Sequence, residues 1–312
     1  MTGEVDCGIV VVCYNSARHI EKLLDSLPAA TRGLRTRCVV VDNSSQDATM
    51  AIVRSRADVI AVDAGGNIGY AGAINLARAR IGSCSALLIL NPDLVLEADA
   101  VVRLWQALEH GDVGVAVPML LSAADGSLYF STRREPSLTR AVGDALFGNH
   151  WGGRPGWLSE TVRDTAAYQQ PRDVTWAGGA AMLVSAACDL AVGDWDEQRF
   201  FLYSEETDFA TRARRAGFRL RYVPTARARH VDGGSGRSPA LATLMAVNRV
   251  RYYEKYHRRT AAFLFRGAVA LHHLVRAADP DQRVALKTLL RRSRWPDLPH
   301  AGVPAGNAEV TT

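Results

Sequence analysis

Four short runs of mostly branched apolar side chains, at 7–13, 38–41, 59–62 and 86–90, each break off at polar or glycine-rich residues that lead into a helical pattern. Runs this short suit strands buried on both faces better than helices. Strand alternating with helix four times over leaves few topologies, and a parallel, doubly wound sheet is the one expected. Open sheets of this kind bind ligands beyond the carboxyl ends of their strands. The fourth run, Ala86-Leu87-Leu88-Ile89-Leu90, stops at Asn91-Pro92, so Asp93 falls at such an end. There it either turns the chain and caps the next helix or holds a divalent cation against a diphosphate.

The loops after the other runs are as informative. The first run ends at Tyr14-Asn15-Ser16, with Ser16 placed to cap a helix over 17–27 that Pro28 stops. The second leads into Asp42-Asn43-Ser44-Ser45-Gln46-Asp47 and a helix near 48–56. The third leads into Gly65-Gly66-Asn67-Ile68-Gly69-Tyr70-Ala71-Gly72 and a helix carrying Asn75. The glycine spacing departs from a dinucleotide fingerprint and follows the third strand, which argues against a Rossmann dehydrogenase. These glycines make either a tight helix-start turn or a backbone that approaches a sugar or phosphate, with Asn67 and Asn75 supplying hydrogen bonds.

Residues 113–117 open a different half, with a hairpin turn at Ala124-Asp125-Gly126-Ser127. Residues 131–170 read as loops with short helices that shape a substrate site. Small residues at Ala177-Gly178-Gly179-Ala180-Ala181 let another segment or ligand come close. After Phe200-Phe201-Leu202-Tyr203-Ser204 come Glu205, Glu206 and Asp208, opening a helix that Gly217 ends. The three carboxylates either favour the helix dipole or, pressed together behind an aromatic run, raise one another's pKa until one serves as a general base. A strand over 219–223 is closed by Pro224, and His230 follows six residues on.

With 312 residues, 48% apolar and 22% charged, the chain suits a globular protein with ample core. Its formal charge of +5 is uneven, because residues 251–300 hold a surplus of cations that leaves the remainder slightly acidic. That distribution suits an anionic surface or lipid and argues against nucleic acid. The segment 261–277 either lies in a membrane interface or packs on the body of the protein. Five widely spaced cysteines with no Cys-x-x-Cys pair read as reduced core residues of a cytosolic protein. No signal-peptide pattern and no run near the roughly 20 apolar residues of a spanning helix is present. The expected divisions are 1–240, with halves meeting at 117 and 118, a helical extension over 241–295 and a disordered tail over 296–312.

Taken in order, these residues match a family. Tyr14-Asn15, the Asp42-Asn43-Ser44 loop, the Asn67, Gly69, Gly72 and Asn75 spacing, Asn91-Pro92-Asp93, the acidic cluster and the late His230 together resemble a family-2 glycosyltransferase of the GT-A fold over 9–238. The stretch 118–137, with Arg133-Arg134-Glu135-Pro136-Ser137, is most similar to rhamnosyltransferases that use dTDP-L-rhamnose to extend a lipid-linked N-acetylglucosamine. The resemblance implies an α/β fold, a GT-A-like doubly wound mixed sheet flanked by helices, with a C-terminal helical extension. It puts Tyr14, Asn15 and Asp42 at the base and ribose, and Asn67, Gly69, Gly72, Asn75 and Asn91 around the nucleotide sugar. Asp93 and His230 would hold Mg²⁺ or Mn²⁺, and Arg237 would close over the diphosphate. Glu206 would be the base, with Glu205 and Asp208 in reserve. Two positions depart from the family pattern: Asn91 and Glu206 both stand where Asp is usual.

The function implied is inverting transfer of a sugar from a dTDP- or UDP-sugar to a glycan or lipid-linked acceptor, in the cytoplasm or peripherally on the inner face of the cell membrane. Two alternatives stay open: another nucleotide sugar with a soluble natural product as acceptor, or a nucleotide-sugar-binding protein that has lost catalysis.

Overall fold

The computed structural model describes residues 5–148, 150–231 and 238–300. The chain opens with β1 (Val5–Cys13), α1 (Ile20–Ala30), β2 (Thr36–Asp42), α2 (Thr49–Arg54), β3 (Val59–Asp63), α3 (Gly69–Ile81) and β4 (Cys84–Leu90). These four strands are parallel, in the order β3-β2-β1-β4. Along β1 the side chains alternate between two cores: Val10 and Val12 enter one with α3, while Ile9, Val11 and Cys13 enter the other with α1. Burial on both faces is why these strands are apolar throughout rather than at every second residue.

The second half adds β5 (Leu94–Leu96), α4 (Ala100–Leu108), β6 (Val113–Ser122), β7 (Leu128–Tyr129), β8 (Thr132–Arg133), α5 (Leu138–Phe147), β9 (Arg172–Val174), β10 (Trp176–Ala177), β11 (Ala181–Ser185), α6 (Ala186–Val192), α7 (Glu205–Arg215) and β12 (Arg219–His230). β11 inserts antiparallel between β4 and β6, while β12 runs parallel to β6 and antiparallel to β5. The sheet is therefore mixed, with helices on both faces. The expected turn at 124–127 joins β6 to β7, with the Ser122 N–H donating to the Ser127 carbonyl (2.8 Å) and Gly126 at φ +72°.

Three helices follow: α8 (Pro239–Tyr256), α9 (Arg259–Leu274) and α10 (Pro280–Leu290). They share a satellite core built on Val250, Tyr253, Phe265, Val269 and Leu289. The division expected at 240 falls inside α8, whose Asn248, Arg249, Tyr252 and Lys255 all bond to residues of the preceding half. Of the expected tail, 296–300 is described and 301–312 lies outside the described residues.

Two boundaries differ from expectation. Pro28 lies inside α1 and does not stop it, because in the last turn it costs a single hydrogen bond. Thr31 then closes that end, donating its N–H (2.9 Å) and hydroxyl (2.8 Å) to the Leu27 carbonyl. Likewise Pro224 does not end β12: a register shift against β6 between Val223 and Arg227 takes up the proline, and pairing resumes as far as His230.

The start of α3 is pinned to the loop before α7. The Tyr70 N–H donates to the Phe201 carbonyl (2.7 Å), and Gly69 sits at φ +79° with room for no side chain. A Cβ there would lie 2.3 Å from the Phe201 carbonyl oxygen. Gly69→Ala is expected to lower the unfolding free energy by about 2 kcal/mol or more, through clash and left-handed strain. An unchanged urea midpoint would contradict this packing.

Candidate functional site

β5 and β12 pair with Leu94 opposite His230, and the Val231 N–H donates to the Asp93 carbonyl (3.0 Å). That register brings two residues far apart in the chain to one point: Asp93 Oδ1 stands 3.3 Å from His230 Nε2. Both side chains are largely buried, yet Asp93 Oδ1 and His230 Nδ1 have no hydrogen-bond partner among the described residues. Tyr129 meets the imidazole edge-on, with 5.4 Å between ring centroids. A carboxylate oxygen and an imidazole nitrogen at this spacing fit neighbouring corners of one six-coordinate divalent cation. Among the described residues no third His, Cys, Asp or Glu joins them. The remaining corners would fall to substrate oxygens and water.

The carboxylates stand at the start of α7. Tyr203 and Ser204 precede α7 with φ of 70° and 73°, a strained bend for two non-glycine residues. Asn248 Nδ2 holds it by donating to the Leu202 and Tyr203 carbonyls (2.8 and 3.3 Å). Burial, and then the charge of Glu206, push the Glu205 carboxyl well above its ordinary range. Burial raises Glu206 to about 6, against the pull of its own backbone N–H and of Arg133. The Oε2 atoms of both are buried without a hydrogen-bond partner among the described residues. Glu206 packs on Gly179, whose carbonyl accepts from the Tyr70 hydroxyl (3.1 Å). Tyr70 itself is driven up by burial and then by the charges of Glu205, Glu206 and Asp93, so all three carboxylates act on one phenol.

Asp208 has a different task. It is fully buried, with Arg212 Nε on one oxygen (2.8 Å) and Lys255 Nζ and the Tyr256 hydroxyl on the other (2.6 Å each). With both oxygens engaged it cannot stand in as a base, and its place is to tie α7 to α8. Gly72 and Asn75 also point elsewhere than expected. A Cβ on Gly72 would meet Glu197, and Asn75 Nδ2 donates to the Trp195 carbonyl and to Glu197 (both 2.9 Å). They fasten α3 to the 194–197 segment, beside a cavity of about 430 Å³ that none of Asp93, His230 and Glu206 lines.

The remaining expected residues that are described lie at or after the carboxyl ends of β1 to β4. Tyr14 is exposed there. Asn15, at φ +51°, accepts from the Gln46 N–H (2.8 Å) and donates its own N–H to Ser45 Oγ (2.8 Å), joining the two loops. Asp42 is buried and accepts from the Ser45 N–H (3.1 Å) and hydroxyl. Asn67 Oδ1 accepts from the Gly69 N–H (3.1 Å), and the Asn91 N–H donates to the Ala180 carbonyl (2.8 Å). Arg237 lies outside the described residues.

Sequence reasoning passed over Asn43, Tyr70, Arg133 and Asn248. Asn43 bolts β2 to the glycine turn, donating to the Gly69 carbonyl (3.0 Å) and accepting from the Ile68 N–H (2.9 Å). Its position in an unbroken polar loop was visible, but nothing local says which member of that loop turns inward. Asn248 is an asparagine fully buried in a helix, a pattern that invites the search for a distant partner.

The model of the family described as Glycosyl transferase family 2 matches residues 8–159. The N-acetylglucosaminyl-diphospho-decaprenol L-rhamnosyltransferase of Mycobacterium tuberculosis is 31% identical over 306 residues, 92% of this chain and 94% of its own length. Rhamnosyltransferase WbbL of Escherichia coli is 26% identical over 237 residues, 74% of this chain and 85% of its own. Among solved structures, GalNAc-T7 with UDP, GalNAc and Mn²⁺ superposes with a TM-score of 0.64 at 13% identity, over 99% of this chain and 60% of that one. The mannosyltransferase PcManGT from Pyrobaculum calidifontis, in complex with GDP-Man and Mn²⁺, gives 0.54 at 18% identity, over 93% and 74%. These structural likenesses establish a GT-A-like fold.

The two buried acids on α7 should respond oppositely to neutralisation. Asp208→Asn leaves Arg212 and Lys255 facing an amide and is expected to cost about 3–5 kcal/mol of stability. Glu206→Gln removes a carboxylate that burial disfavours and should stabilise the fold at neutral pH. The folded value of Glu206 is raised from 4.5 to about 6, so its contribution to stability is full below 4.5 and is lost as pH rises through 6. Denaturant titrations of both variants between pH 4 and 8 check this, and equal destabilisation by both would contradict it.

Proposed function

The chain belongs to glycosyl transferase family 2, and we propose that this glycosyltransferase moves L-rhamnose from dTDP-L-rhamnose onto a hydroxyl of a lipid-linked glycan. What supports the mechanism is that Asp93, 3.3 Å from His230, and Glu206 both act electrostatically on the Tyr70 phenol. Its two rhamnosyltransferase relatives support the choice of sugar, and the acceptor named for the mycobacterial one supports a lipid-linked glycan.

Transfer with inversion is a single in-line displacement at the anomeric carbon, through a transition state with oxocarbenium character. Glu206 takes the proton from the attacking hydroxyl through Oε2, which has no competing partner among the described residues. A base poised at about 6 is ionised at neutral pH and still accepts a proton, a contribution on the order of 10² to 10⁴ in rate. Glu205, beside it, is pushed well above its ordinary range by burial and then by the charge of Glu206. On the opposite wall Asp93 Oδ1 and His230 Nε2 would hold Mg²⁺ or Mn²⁺, which would neutralise charge on the leaving diphosphate. Tyr14, Asn15 and Asp42 form the floor for base and ribose, and Asn67 and Gly69 the turn beside the sugar.

Peripheral attachment to the inner face of the membrane belongs to the same reading. Beyond its first residue, the exposed side of α9 carries Phe263, Leu264, Gly267 and Leu274, with Val275 next, and no charge; Phe263 is 73% exposed. Exposed Arg258 and Arg259 lie at its start. Arg266 ties its middle to the Leu289 and Leu290 carbonyls (2.7 and 2.8 Å), where exposed Arg291, Arg292 and Arg294 follow. An apolar stripe between arginines suits the headgroup region of an anionic bilayer. No helix among the described residues is long and apolar enough to cross one.

A panel of nucleotide sugars with Mn²⁺ or Mg²⁺ tests the donor. dTDP-L-rhamnose should raise the melting temperature most, EDTA should remove the gain, and Glu206→Gln should keep it while slowing transfer by about 10² or more. Full transfer in excess EDTA, or a Glu206→Gln enzyme of undiminished rate, would contradict the scheme. Vesicles test the attachment: the double variant F263E/L264E should abolish sedimentation with phosphatidylglycerol vesicles while leaving transfer to a water-soluble acceptor intact. Unchanged sedimentation would contradict it.

A further inference from the structure

Beside the base stands a cation with no acidic partner among the described residues. Arg133 is opposite Trp176 in the β8–β10 pair, its guanidinium 6.0 Å above that ring; three residues beyond Trp176, Gly179 packs against Glu206, and the Arg133 charge acts on that carboxylate. Nη1 turns back to the Phe130 and Thr132 carbonyls. Nε and Nη2 bond to nothing among the described residues, and no carboxylate there pairs with the side chain. The neighbouring acids are taken, Glu135 by Arg214 and Tyr252, and Glu160 by Arg249.

More positive charge lies behind it. Arg134 donates to the Ser159 and Thr161 carbonyls (3.2 and 3.1 Å), and Arg140 to the Gly156 and Glu135 carbonyls (3.0 and 2.6 Å). Arg172 donates to the Ala167 carbonyl (2.8 Å) and to Thr132 Oγ1 (2.7 Å). None of the three pairs with a carboxylate among the described residues, and burial and then the charges of Arg140 and Arg172 push the Arg134 guanidinium down. Asp164, whose charge opposes that shift, is exposed to solvent. A half-buried guanidinium with a free edge in such a field is built for an anion, and its planar fork matches two oxygens of a phosphate.

Its place in the cleft selects which substrate carries that phosphate. The segment 129–133 starts at the His230 ring, which Tyr129 touches, and ends at Arg133, paired with the strand that leads to Gly179 and Glu206. Arg133 therefore stands with the base, at the other end of that segment from the Asp93–His230 corner. We propose that Arg133 binds, through Nε and Nη2, a phosphate on the acceptor, so that the sugar bearing it is held with its hydroxyl at Glu206. The proposal rests on Glu206 being the base and on the lipid-linked acceptor proposed above, and it names the side chain that holds that acceptor's phosphate. A role confined to offsetting the charge of Glu206 would leave phosphate binding untouched by mutation and raise the pH at which transfer begins.

Calorimetric titration of α-N-acetylglucosamine 1-phosphate into the full-length protein, with EDTA present, separates these. The wild type should bind it about tenfold or more tightly than methyl α-N-acetylglucosaminide. Arg133→Ala should bring both ligands to the weaker affinity, Arg133→Lys should recover part of the difference, and His230→Ala should change neither. A wild type that does not distinguish the two sugars, or an Arg133→Ala or Arg133→Lys protein that does so as well as wild type with its affinity intact, would overturn the proposal. No donor enters this titration, so failure of rhamnosyl transfer is a separate result; retention of transfer by Glu206→Gln would remove the base without altering the binding outcome.

Discussion

The pairing of β5 with β12 is the constraint on which the site depends. One register, Leu94 opposite His230, puts Asp93 at the edge of the sheet and turns the imidazole toward it. Side chains alternate faces along a strand, so a slip of one residue would send His230 to the other side and leave Asp93 alone. The irregularity at Pro224 matters for the same reason. Between Val223 and Arg227 the strand shifts against β6, and beyond it Arg227 to His230 regain pairing with Met119 to Ser122.

Buried charge is handled in two ways within one helix turn. Asp208 is neutralised by Lys255 and Arg212 and hydrogen-bonded by Tyr256, which makes it an anchor. Glu205 is buried and Glu206 half-buried, each with a buried oxygen left unbonded among the described residues, which is costly and has no structural return. The preceding bend at Tyr203 and Ser204 is strained as well, and Asn248 of α8 holds it from behind. Strain and unsatisfied carboxylates together mark the start of α7 as the place where stability is given up for reactivity. The helices after the sheet thereby support this place: α8 braces the start of α7, and α9 and α10 pack on α8.

Much of this was legible in the residues. The four apolar runs announce the parallel half of the sheet, and Asn91-Pro92-Asp93 announces its ligand end. What local patterns cannot carry is long-range pairing. β11 enters antiparallel through a run of small and apolar residues that reads the same in either direction. Pro28 and Pro224 read as stops, whereas α1 and β12 absorb them with one lost bond and one register shift. Asn75, Gly72 and Asp208 look like pocket residues because of their spacing. Their partners, Trp195, Glu197 and Lys255, are distant in sequence and turn them into fastenings. Arg133 is the converse: it stands in the stretch that carries the likeness to rhamnosyltransferases, but its lack of a carboxylate partner among the described residues shows only in the fold.

The central claim is that Asp93 and His230 hold one cation facing the carboxylate of Glu206. Crystals grown with Mn²⁺ and dTDP, measured at the manganese absorption edge, test it directly. The account predicts a single anomalous peak about 2.1–2.2 Å from both Asp93 Oδ1 and His230 Nε2, with the nucleotide diphosphate completing its shell. Manganese bound elsewhere, or a diphosphate seated away from these two side chains, would contradict it.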